Sequence, residues 1–111
     1  MVIPSKGSIV LVHFPFSDLS SSKLRPAVVL APVDRDDWIL CQVTSKPYAD
    51  PRAIKIARDD FATGSLRIVS FARPGKIFTA NHSLIVSEAG LLDIASFSRI
   101  IEAVVDIIRG P

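Results

Sequence analysis

The chain has 111 residues, 49% of them hydrophobic, which suits one core and leaves too little length for two domains of ordinary size. A single cysteine excludes a disulfide framework, and no apolar stretch nears the roughly 20 residues that span a bilayer. Thirteen Lys and Arg against 11 Asp and Glu leave a net charge of +2, a mild basic excess that permits a nucleic-acid partner without requiring one.

The opening "MVIPSKGSIVLVHFPF" lacks the order of basic region, apolar block and small-residue site that marks a secretory signal. With the lone cysteine, this makes a cytoplasmic protein the expectation. After Gly7, "SIVLVHF" (8–14) predicts a first strand, and "PFSDLSSSK" (15–23) a polar loop with no apolar face to bury. The run Ala27–Ala31, bounded by prolines, predicts a buried strand opened by Pro26. "VDRDD" (33–37) is an acidic turn. "WILCQVT" (38–44) predicts a third strand, with Trp38, Leu40, Gln42 and Thr44 on one side and Ile39, Cys41 and Val43 on the other. "SKPYADPR" is a proline-broken loop, "AIKIA" (53–57) a short strand, and "RDDFATGS" a further turn. "LRIVSF" (66–71) and "KIFTA" (76–80) read as strands separated by an "ARPG" turn, and "NHSLIVS" as a short edge strand.

The period then changes. From Asp93, an N-cap, "IASFSRIIEAVVDIIR" sets Phe97, Ile100, Ile101, Val104, Val105 and Ile108 at helical spacing, and Gly110 and Pro111 end the run. Short strands followed by one terminal helix predict a single, mainly β domain over residues 1–111. Its expected form is a small curved sheet or barrel of short, mostly antiparallel strands packed by a C-terminal α-helix.

Metal chemistry is disfavoured, since His13 and His82 are far apart in sequence and Cys41 stands alone in a strand. No phosphate loop or dinucleotide fingerprint is present, and no cofactor is expected. "KLRPAVVL" (23–30) is more informative. Pro26 restricts Arg25 to extended backbone, so a guanidinium leaves the strand entrance in a defined direction, a preorganised fork for phosphate. The ordinary alternative is a charge that guards an edge against aggregation. Thr44 and Ser45 put hydroxyls at a strand end, followed by Lys46; Arg73 and Lys76 flank a turn near Phe71 and Phe78. Cations interleaved with rings suit single-stranded nucleic acid, although both phenylalanines also suit a core.

"KGSIVLVHFPFSDLSSSKLRPAVVLAP", "CQVTSK", "SFARPGKIFTANHSLI" and "GLLDIASFSRIIEAVVDII" follow one another in an order that resembles the PemK/MazF family of toxins from toxin–antitoxin pairs. The resemblance covers nearly the whole chain. It implies an SH3-like barrel that works as a homodimer, cleaves single-stranded RNA, often mRNA, without metal, and is held inactive by a cognate antitoxin. It also implies that Arg25 and Thr44 form the catalytic pair and that Ser45, Arg73 and Lys76 lie along the RNA, where Lys23, Lys46 and Phe16 are also expected. Cleavage by the RNA's own 2′-hydroxyl needs a proton carrier; His13 and Asp18 are the candidates, because arginine holds its proton too tightly. Gly7-Ser8 stands where relatives often have Gly-Asp, and serines replace a glycine in the loop before Arg25. Two rival readings follow: a toxin of the same fold that binds DNA gyrase, and a generic SH3-like interaction module.

Overall fold

The computed structural model describes residues 3–13, 23–47 and 49–110. Seven strands occur in chain order: β1 (Ser8–His13), β2 (Leu24–Pro32), β3 (Asp37–Thr44), β4 (Ile54–Ile56), β5 (Phe61–Gly64), β6 (Ser70–Asn81) and β7 (Ile85–Leu92). Short 3₁₀ turns cover Arg58–Asp60 and His82–Leu84, and helix α1 (Ile94–Arg109) ends the chain. The strands form one sheet in the order β4-β6-β3-β2-β1-β7-β5, with every neighbouring pair antiparallel. The architecture is a curled half-barrel sheet with one terminal helix, as the strand-then-helix pattern predicts.

The sheet curls because both of its faces are apolar. Along β1, Ile9 joins one core cluster with Val28, Cys41, Val43 and Ala72, whereas Val10 and Val12 join a second with Ala27, Val29 and Leu40. A flat antiparallel sheet with one wetted face would leave half of these in water. Irregular register between β1 and β7, β2 and β3, and β3 and β6 supplies the bends.

Helix α1 closes the first cluster with Ile100 and Val104, each removed almost wholly from water and worth about 1.5–3 kcal/mol by burial. Its start is fixed twice. The Asp93 carboxylate accepts the Ser96 N–H at 2.7 Å, and buried Ser96 donates its hydroxyl to Asp60 Oδ1 at 2.9 Å. Asp60 also accepts the Ala57 N–H at 2.7 Å and pairs with Arg99 at 3.1 Å, so the turn after β4 is clipped to the helix. Ile108, expected on the packed stripe, is 69% exposed, and it is Ile107 that is half-buried, facing Gly75 of β6.

Four predicted elements differ from the structure. "RDDFATGS" holds a 3₁₀ turn and β5 rather than a plain turn. Residues 65–69 belong to no strand, since β6 begins only at Ser70. "ARPG" is no turn between strands: β6 runs through it as a bulge, Cys41 pairing Ile77 while Val43 pairs Ala72. Pro74 in that bulge is buried, so tertiary packing overrides the turn chemistry of Pro-Gly. β7 is longer than predicted and internal, lying between β1 and β5. Gly64 permits this pairing; its φ of +67° is left-handed, and a Cβ there would overlap the Ala89 carbonyl.

Candidate active site

β2 and β3 pair with Ala27 opposite Gln42 and Val28 opposite Cys41. Their ladder reaches Ala27 and Gln42, and Arg25 and Thr44 stand two residues beyond those partners, where the two strands end. Arg25 pairs with Val12 of β1, and Thr44 with Phe71 of β6. Pro26 therefore lies inside β2, not before it, and Arg25 is held by ladder pairing as well as by the proline.

A groove of about 660 Å³ opens at this end of the sheet. Leu11, Pro26 and Val43 form part of its lining, together with Ser70 and Ala89. Arg25 and Thr44 alternate with Pro26 and Val43 along their strands, and meet the groove with Lys23 and Ser45 where the strands end. Leu66, Arg67 and Ile68 bound it from the connection between β5 and β6. Lys23, Arg25 and Arg67 bring three positive charges to the lining, and no Asp or Glu joins them among the described residues. The whole chain carries only +2, so the charge of the lining exceeds the average of the surface. Such a surface selects an anion.

The Thr44 hydroxyl is oriented by its own loop. It accepts the Lys46 N–H at 3.1 Å and lies 3.2 Å from the Lys46 carbonyl, to which it donates. Lys46 is exposed beside the groove lining. His13 ends β1 with Nδ1 buried and no partner for it among the described residues. It does not line the groove, although Leu11, two residues before it, and Leu24, opposite it on β2, both do. Lys76 is exposed in the β6 bulge, outside the lining. Arg73, also outside the lining, is engaged within the protein, where its Nε donates to Asp50 Oδ2 at 2.8 Å. That bond, with the Arg52 N–H as second cause, holds the Asp50 carboxyl below the ordinary carboxylate range. Phe16 and Asp18 lie outside the described residues.

Arg67 is a groove residue that the sequence does not single out. Its only local signal is an arginine inside "LRIVS", an otherwise apolar run that reads as a strand. Cys41 is a core residue, as its apolar neighbours in the sequence imply. Burial pushes its thiol up to about 12, and its Sγ donates to the Arg73 carbonyl at 3.2 Å. Among the described residues no three of His, Cys, Asp and Glu gather as metal ligands, and no helix is long and apolar enough to cross a membrane.

Several solved structures share the fold. MazF from Deinococcus radiodurans superposes with a TM-score of 0.78 at 16% identity, over 99% of this chain and 100% of that one. A MazE–MazF complex from the same organism gives 0.76 at 15% identity over 100% of both chains. An endoribonuclease from a mycobacterial species, solved with its cognate antitoxin, gives 0.72 at 15% over 100% of this chain and 98% of that. No curated protein sequence matches. At such identities the structural likeness speaks for the fold alone, and membership has to come from sequence. It does: the family model of PemK-like and MazF-like toxins matches residues 5–108. A match from before β1 to the last turn of α1 takes in every strand that builds the groove, and the chain belongs to the PemK-like, MazF-like toxins of type II toxin–antitoxin systems.

Proposed function

We propose that this toxin is a metal-independent endoribonuclease that cleaves single-stranded RNA, mRNA in the cell, and so inhibits translation and growth. One observation carries the reading: Arg25 and Thr44 both line a groove whose described lining holds three cations and no carboxylate.

The RNA supplies its own nucleophile. Its 2′-hydroxyl oxygen forms a bond to the adjacent phosphorus, the bond from phosphorus to the 5′-oxygen breaks, and the products are a 2′,3′-cyclic phosphate and a 5′-hydroxyl. One proton leaves the 2′-oxygen and one reaches the 5′-oxygen, so the step needs no co-reactant. Arg25 meets the extra negative charge on the phosphorane, a role in which loss of one donor costs roughly a hundredfold or more. Thr44, already oriented by Lys46, hydrogen-bonds a phosphate oxygen and sets the line of attack. His13 is the proposed proton carrier, supported by its place on β1 two residues after groove-lining Leu11 and opposite groove-lining Leu24. Lys23, Ser45 and Lys46 hold the strand beside the scissile phosphate, with Lys76 further along it, and Phe16 is a further RNA contact in this reading.

The enzyme works in the cytoplasm, where its substrate is, as a homodimer. A cognate antitoxin restrains it, by analogy with the solved complexes of the Deinococcus and mycobacterial relatives. Incubation of purified protein with a long single-stranded RNA in EDTA tests the reading. Discrete fragments ending in cyclic phosphate are expected; intact RNA with and without divalent cations overturns it.

A further inference from the structure

The groove shares a wall with a second, smaller hollow of about 120 Å³. Leu66, Arg67 and Ile68 line both. Beyond that wall the smaller hollow is bounded by Arg58 and Phe61. Neither lining contains Asp or Glu among the described residues. The nearby carboxylates are outside it: Asp59 is exposed and not part of the lining, and Asp60 is taken up by Ala57, Ser96 and Arg99.

Only Leu66 of the wall packs against the core. Arg67 is exposed, and Ile68 and Val69 are 61% and 47% exposed, in a segment that has left the sheet. An exposed guanidinium next to the bare side chains of Ile68 and Val69 offers at once what phosphate and base each require. The smaller hollow is too small for a nucleotide but large enough for a phosphate group, with two guanidinium-bearing residues around it and a ring beside it.

We infer that Arg67, together with Arg58, forms a second phosphate site, so that an RNA strand gripped at Arg25 and Thr44 crosses the Leu66–Ile68 wall and is held again in the smaller hollow. Resting on the nuclease reading above, this makes Arg67 a binding residue that sets how much RNA beyond the cut the enzyme grips. Phe61 gives the base next to that phosphate an apolar surface.

Cleavage sites are first mapped on a long single-stranded RNA. Two oligoribonucleotides carrying the mapped sequence are then compared, one trimmed close to the cut and one extended on both sides. For Arg67→Gln, KM on the extended RNA should rise roughly tenfold, and on the trimmed RNA, where only the groove side of Arg67 is left to act, by no more than about two- to threefold. Arg58→Gln should act in the same direction more weakly. Binding of the extended RNA, made uncleavable by a 2′-deoxy group at the cut, should lose about 0.7 from its log–log salt slope in Arg67→Gln. Equal losses on both RNAs, an unchanged salt slope, or a fall in kcat alone would each overturn the second site while leaving the nuclease intact. If wild-type protein cuts no RNA, the nuclease reading falls and the second site with it.

Discussion

The chain contains the dipeptide Arg-Pro twice, at Arg25-Pro26 and Arg73-Pro74, and the structure puts the two in different places. Arg25 is exposed at the end of β2, in a groove lining without carboxylates among the described residues. Arg73 lies in the β6 bulge, 26% exposed, against an Asp50 that is 14% exposed, with a buried proline after it. The first arginine brings its charge to a surface that a ligand can reach. The second is bonded to a carboxylate of the same chain, and even its carbonyl is engaged by the Cys41 thiol. Residue type and the following proline are shared, so what differs is where each guanidinium lies: Arg25 lines the groove, and Arg73 is bonded to Asp50 outside it.

Substitution at the two arginines should separate them cleanly. Arg25→Ala should lower the cleavage rate by a hundredfold or more while the melting temperature stays within error, since an exposed charge contributes little to the fold. An RNA time course beside a thermal melt checks both halves; residual activity near wild type would remove the contrast. Thr44→Val, which keeps the shape and deletes the hydroxyl, should cost roughly ten- to a hundredfold in kcat and loosen the turn at Lys46. Arg73→Ala should do the reverse of Arg25→Ala, holding activity within a few-fold and lowering the melting temperature.

Acid sharpens the same comparison. Because the Arg73 bond holds the folded Asp50 carboxyl below its unfolded value of about 3.9, that bond's stabilisation is full above this value and is lost as pH falls through the folded one. Melts from pH 6 downward should therefore show a steeper loss in wild type than in Arg73→Ala, with Arg25→Ala following wild type. The smallest effect is at Cys41. With its thiol pushed up to about 12 and buried, labelling by iodoacetamide at neutral pH should be negligible in folded wild type and should rise in Arg73→Ala if the bulge loosens.

The strands β1 to β4 and the helix are legible in the sequence because each carries a local period. In β3, alternation alone separates Leu40 from Cys41 and Val43, and the structure puts them in different clusters. The region from 58 to 85 is less legible because its strongest local signals mislead. Pro74-Gly75 looks like a turn but lies in a bulge with the proline buried, and "LRIVS" looks like a strand but leaves the sheet. The candidate site is legible in part for the same reason. Arg25 and Thr44 stand at strand ends that periodicity marks, whereas Arg67 stands on a segment whose apolar composition hides its exposure.

By itself, then, the sequence determined the class of fold, the terminal helix, the inert cysteine and the family, since these depend on local period, end signals and residue order. The tertiary structure alone decided which arginine meets Asp50 and which residues bound the groove from its far side. Those are facts of pairing between positions distant along the chain. Electrostatic compensation acts through space, and no reading along the chain can see it.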